Sequence, residues 1–137
     1  MKIIFVCTGN TCRSPLAESY AKTQYDALDV VFESRGLMVH SGGVNSISQA
    51  IVERESLVAP STPEPLTKAD VEEALLLVMT DVHKRLVKEQ FPSADVQMIS
   101  EFAVGYQEDV VDPYGGSMEH YERTFIQLKG FIDKFKF

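Results

Sequence analysis

Residues 7–15 read "CTGNTCRSP" and hold both cysteines of the chain. They follow the apolar run "IIFV" and precede the helical pattern "LAESYAK". A turn leading from a buried strand into a helix aims successive backbone N–H groups at one point, and the helix N-terminus adds partial positive charge. Gly9 is expected to permit backbone geometry closed to other residues. Asn10 is one of the few other types that tolerate a left-handed conformation. Arg13 offers a planar fork that matches phosphate oxygens. Cys7 would lie at the bottom of this cradle, where backbone donors, the helix end and Arg13 all favour its thiolate. Ser14 is placed to donate a further hydrogen bond to the sulfur. The residues from Thr8 to Ser14 (Thr8, Gly9, Asn10, Thr11, Cys12, Arg13, Ser14) thus read as a phosphate-binding loop over a nucleophile. A lone cysteine after a buried strand is commonly a small core residue; the whole set C-x5-R-S at a strand-to-helix junction is far more specific.

The loop is not an NTP cradle, because G-x-x-x-x-G-K-[ST] is absent. Metal is not implied either: His40, His83 and His120 stand far apart and read as surface residues, and no H-E-x-x-H or paired C-x-x-C occurs. No cofactor is implied.

Strands and helices must hold the loop in place. "KIIFVC" reads as a fully buried strand. Ser14-Pro15 marks the start of a helix whose apolar face carries Leu16, Ala17, Tyr20 and Ala21. "DVVFESRG" reads as a second strand ended by Gly36, and residues 39–46 as a turn-rich link to a helix over 47–58. Residues 59–67, with three prolines, read as a surface loop. "TKADVEEA" is a short helix with a Thr cap, "ALLLVMT" (74–80) a third strand, and "DVHKRLVKEQF" a helix. "ADVQMIS" (94–100) is a fourth strand, residues 101–117 a long connection without a clear period, and "MEHYERTFIQLKGFIDKF" an amphipathic closing helix. This alternation predicts an α/β three-layer sandwich: a four-stranded parallel sheet with helices on both faces. Ligands on such sheets bind beyond the carboxyl ends of the strands, where Cys7 lies.

The 137 residues fit one domain over 1–137, and 45% hydrophobic residues suffice for a packed core. A net charge of −7 argues against nucleic acid as a partner. No apolar run approaches the roughly 20 residues that span a bilayer, and no leader pattern precedes the first strand. A cytoplasmic monomer without membrane contact is expected.

"VCTGNTCRSP" and "DPYGG" resemble the low-molecular-weight protein tyrosine phosphatase family, and the order of strands and helices matches over the whole chain. The resemblance implies a four-stranded parallel sheet and a two-step cysteine mechanism without metal, acting on phosphorylated proteins. It makes Cys7 the nucleophile, Arg13 the phosphate ligand and Asp112 the general acid, with Asn10 and Ser14 shaping the loop. The chemistry agrees: a leaving group displaced by sulfur needs a proton, and a carboxyl in an exposed loop can supply it, then take one from water. Pro113 restricts Asp112 to extended backbone. Asp109 is an acidic competitor without the following proline, and Tyr114 is a candidate for the cleft wall.

Thr11 divides the family. Tyrosine-specific members carry an aliphatic residue here, whereas members resembling the bacterial protein arginine phosphatases carry threonine. Its hydroxyl could polarise the water that cleaves phosphocysteine, and Asp112 could pair with the substrate guanidinium. Phosphoarginine is therefore the expected substrate, with phosphotyrosine as the alternative. Those relatives have an aromatic residue after the second strand, where this chain has Met38, a pliable apolar wall. Cys12, five residues from Cys7, is a candidate redox partner. Arsenate reductases share a similar loop but relay oxidation through further cysteines, which this chain lacks.

Overall fold

The structure, a computed structural model, describes residues 1–40 and 43–137. Ser41 and Gly42, inside the turn-rich segment after the second strand, lie outside the described residues.

The first strand, β1 (Lys2–Cys7), is buried at every residue after Lys2, as its unbroken apolar run requires of a strand covered on both faces. Alternate side chains go to opposite layers. Ile3, Phe5 and Cys7 join one apolar cluster, and Ile4 and Val6 join another. Helix α1 (Arg13–Gln24) leads to β2 (Val31–Gly36); α2 (Ser46–Arg54) and α3 (Lys68–Glu73) precede β3 (Leu75–Val78). Helix α4 (Asp81–Gln90), β4 (Val96–Met98), α5 (Ile99–Val104) and α6 (Met118–Ile132) complete the order. All strand pairs are parallel, in the order β2-β1-β3-β4. Helices α1, α2, α5 and α6 pack on one face and α3 and α4 on the other. The expected three-layer sandwich is present. Among the described residues, no helix is long and apolar enough to cross a membrane.

Strand order reverses between β1 and β3, so a crevice opens beyond their carboxyl ends. The loop after Cys7 and the first turn of α4 flank it.

Several boundaries differ from the sequence reading. Strand β4 has only three residues, and Ile99 to Val104 form α5 rather than strand and loop. Glu101 starts that helix by accepting the Met98 N–H at 2.8 Å, and Gly105 ends it with a left-handed φ of 83°. Helix α2 stops at Arg54, four residues early, where the chain turns through Ser56 at φ 54°. Strand β3 is shorter than 74–80 because Thr80 instead caps α4, accepting the His83 N–H at 3.1 Å. Thr67 caps α3 as expected, in a reciprocal box with Asp70.

Candidate active site

The loop after β1 lines a cleft of about 450 Å³ with Cys7, Thr8, Gly9, Thr11, Cys12 and Arg13. Met38, His40, Gly43, Asp112 and Tyr114 close it from the other side. Asn10 and Ser14 lie behind this lining, with no exposed surface.

The left-handed residue of the loop is Asn10, at φ 56°, and not Gly9. A Cβ on Gly9 would come no closer than 3.4 Å to Thr11 Oγ1, so Gly9 keeps the wall beside Thr11 open rather than supplying an unusual φ. Gly36, at the end of β2, is the tighter constraint. A Cβ there would meet the Thr8 carbonyl oxygen at 2.9 Å and Asn10 Cβ at 3.0 Å. The loop can lie against β2 only because that position has no side chain.

Asn10 offsets its backbone strain with a satisfied side chain. Its Oδ1 accepts the Glu64 N–H at 3.0 Å and its Nδ2 donates to Ser14 Oγ at 2.9 Å. The first bond gives the proline-rich segment a role beyond that of a surface loop. Residues 59–67 are a brace, held to α1 where buried Glu18 accepts from the Ser61 N–H and hydroxyl, and to β2 where Glu64 O accepts the Gly36 N–H at 2.9 Å. The second bond sets a proton direction. An amide nitrogen can only donate, so Ser14 Oγ accepts from Asn10 and turns its own proton to Cys7 Sγ, 2.9 Å away. The relay ends on the Cys7 sulfur.

Arg13 opens α1, is 5% exposed, and donates from Nη1 to the Val110 carbonyl at 3.1 Å. Its Nη2 lies 3.7 Å from Asp112 Oδ2. Asp112 Oδ1 accepts the Tyr114 N–H at 3.0 Å, and the chain then reverses through Gly115 at φ 80°. The acidic loop is pinned before it reaches the cleft: Val110 is buried and its N–H donates to Met79 O at 2.8 Å. Asp109 is engaged elsewhere, accepting the Asp81 N–H at the start of α4, and is not on the lining. Cys12 Sγ lies 3.6 Å from the buried Tyr121 hydroxyl, and both cysteines are free thiols.

One histidine departs from the surface role expected of all three. His40 and His120 are exposed, and His40 lines the cleft, but His83 is buried, and its Nε2 lies 2.9 Å from Thr8 Oγ1. Burial and the Arg13 guanidinium push its pKa down to about 4, against the opposing pull of Asp109 and Asp112. Its sequence neighbours Lys84 and Arg85 give the segment the look of a solvated helix face.

Comparison with known proteins agrees with this geometry. The family model described as low molecular weight phosphotyrosine protein phosphatase matches residues 2–136. The chain is 41% identical over 138 residues to the low molecular weight protein-tyrosine-phosphatase PtpB of Staphylococcus haemolyticus, covering 99% of this chain and 98% of that one. Among solved structures it is similar to a low molecular weight protein tyrosine phosphatase from T. tengcongensis, with 36% identity, a TM-score of 0.90 and coverage of 98% and 96%. It is also similar to a YwlE arginine phosphatase mutant with a phosphorylated active-site serine, with 34% identity, a TM-score of 0.92 and coverage of 98% and 92%. The chain belongs to the low-molecular-weight phosphotyrosine protein phosphatase family, and is a cysteine-based protein phosphatase.

Proposed function

We propose that this chain hydrolyses phosphoarginine in proteins through a phosphocysteine intermediate. Cys7 thiolate attacks phosphorus while the backbone N–H groups of the loop and Arg13 hold the phosphoryl oxygens. The S–P bond forms as the P–N bond breaks, and Asp112 gives its proton to the leaving guanidine nitrogen. Water then attacks phosphorus, Asp112 carboxylate takes its proton, and the P–S bond breaks to return the Cys7 thiolate and release phosphate. The Ser14 hydroxyl, aimed at Cys7 Sγ, stabilises the sulfur both as attacking and as departing anion.

The observation that carries the choice of substrate is Thr11. It lines the cleft, and its Oγ1 has no hydrogen-bond partner among the described residues closer than Cys12 Sγ at 3.8 Å. A free hydroxyl at that wall suits an attacking water, and it removes apolar surface that would grip a phenol ring. Asp112, half-exposed beside the cleft, suits a guanidinium. The YwlE arginine phosphatase mutant carries its phosphoryl group on an active-site serine, which supports covalent transfer to the residue at the Cys7 position. Phosphotyrosine is the second reading. Met38 and Tyr114 present apolar surface at the mouth, 63% and 78% exposed, and the Staphylococcus relative is named a tyrosine phosphatase. The test is kcat/KM on matched phosphoarginine and phosphotyrosine peptides. A preference for phosphoarginine supports the proposal; a preference for phosphotyrosine transfers the function to the second reading.

A further inference from the structure

His83 has no part in the mechanism above, yet it reaches the phosphate loop from the far side of the crevice. Thr8 follows β1, and His83 lies in the first turn of α4, which follows β3. The two strands are neighbours. The ring is held at its backbone by the Thr80 cap and is 5% exposed. Nε2 meets Thr8 Oγ1 at 2.9 Å, whereas Nδ1 is buried with no hydrogen-bond partner among the described residues.

That asymmetry fixes the proton. A ring this far buried beside Arg13 is neutral near pH 7, and a neutral imidazole carries one N–H. On Nδ1 that N–H would be a buried donor with nothing to accept it, which native structures rarely tolerate. On Nε2 it is satisfied by Thr8 Oγ1. The Thr8 oxygen then accepts, and its own hydroxyl proton turns away from the ring. Thr8 is exposed and lines the cleft, so the proton is free for an anion bound there.

We propose that the Thr8 hydroxyl is a side-chain donor to the phosphoryl oxygens during transfer, and that His83 is the positioning residue that orients it. The arrangement repeats the logic on the other side of the loop. There Asn10 directs the Ser14 proton to the sulfur; here His83 directs the Thr8 proton to the group being transferred. The inference rests on the phosphatase chemistry but is independent of whether arginine or tyrosine leaves.

The test uses orthovanadate, whose five-coordinate adduct on a thiolate resembles the transferring phosphoryl group, and inorganic phosphate as a ground-state anion. Inhibition by each is measured against an aryl phosphate for wild type, Thr8→Val, Thr8→Ser, His83→Leu and the Thr8→Val/His83→Leu pair. Losing one donor to a charged group should weaken vanadate about tenfold in Thr8→Val and in His83→Leu, with a smaller loss for phosphate. The double variant should be no worse than either single one, and Thr8→Ser should keep wild-type affinity. Wild-type vanadate affinity in Thr8→Val, or losses that add in the double variant, would overturn the inference. So would a lower Tm with vanadate binding intact, which marks a purely structural role. The exposed Thr8 pair decides the matter even if His83→Leu does not fold. A wild-type chain that neither binds vanadate nor cleaves an aryl phosphate would remove the phosphatase reading itself, and this inference with it.

Discussion

Replacing His83 by asparagine, which does not titrate, should flatten the dependence of stability on pH. The folded-state pKa is pushed down from 6.5 to about 4, first by burial and then by Arg13, with Asp109 and Asp112 opposing. The sign follows from proton uptake. Below pH 6.5 the unfolded chain protonates this ring while the folded chain does not, so stability present above 6.5 is lost as pH falls toward 4. At about pH 5 a shift of this size amounts to about 2 kcal/mol lost relative to pH 7.5, since one pKa unit is about 1.4 kcal/mol. Other groups also titrate here. Glu101 is held low, chiefly by Lys84, and it too loses stabilisation on acidification. The informative quantity is therefore the difference between wild type and variant. Urea denaturation at the two pH values measures it. With an m-value of about 2 kcal/mol/M, the wild-type midpoint should fall about 1 M further than that of His83→Asn between pH 7.5 and pH 5. Equal falls would show that His83 titrates normally in the folded protein, and would refute both its burial as a neutral ring and the tautomer argument built on it.

Asp112→Asn should slow the first step most for substrates with poor leaving groups, because an activated aryl phosphate departs with less need of a proton; an equal loss across a leaving-group series would remove the general-acid role. Thr11→Ile should shift the ratio of kcat/KM values from phosphoarginine toward phosphotyrosine several-fold, since one added buried methylene is worth about 0.8 kcal/mol of aryl binding; an unchanged ratio would deprive the arginine reading of its main support. Mild peroxide should inactivate the enzyme reversibly through a Cys7–Cys12 disulfide, formed when Cys12 resolves a Cys7 sulfenic acid. Peptide mapping of oxidised protein that dithiothreitol restores checks it, and absence of that link would leave Cys12 as a packing partner of Tyr121.

The loop is legible in the sequence because its chemistry is written in consecutive residues. Cys7, Asn10, Arg13 and Ser14 need only the strand before them and the helix after them, and the apolar run of β1 announces the strand. What does not show has distant partners. His83 sits among Asp81, Lys84 and Arg85, so its surroundings in sequence are those of a solvated face, and only Thr8, 75 positions away, explains its burial. The brace of residues 59–67 is hidden for the same reason. Its proline content says loop correctly, but its function depends on Glu18 and Asn10 on the far side of β2. Helix α5 escapes notice because six residues cannot display a helical period, and its start depends on Glu101 reaching back to Met98. Gly9 and Asn10 both read as backbone specialists, and only the left-handed φ at Asn10 separates them.

The site divides by burial, and the division bears on how substrate choice can change. Cys7, Asn10, Arg13 and Ser14 are at most 5% exposed, and each is tied by a hydrogen bond to another part of the loop or the fold. In the proposed mechanism these residues serve the sulfur and the phosphate, a task identical for any phosphoryl donor, and altering one leaves a buried polar partner unmatched at a cost of about 1–3 kcal/mol. Met38 and Tyr114 at the mouth are exposed, and their side chains stand outside the core. They can be exchanged at little cost to stability. Thr11 stands between the two groups. Its carbonyl accepts the Asn45 N–H at 2.9 Å, which ties its backbone to the start of α2, while among the described residues its hydroxyl has only the distant Cys12 sulfur. The backbone bond survives any side chain, and the missing side chain at Gly9 leaves room beside it. Position 11 is thus a place in the loop where the chemistry above the cradle can change without disturbing the network beneath it, and the proposed preference for a guanidinium over a phenol rests on that one threonine.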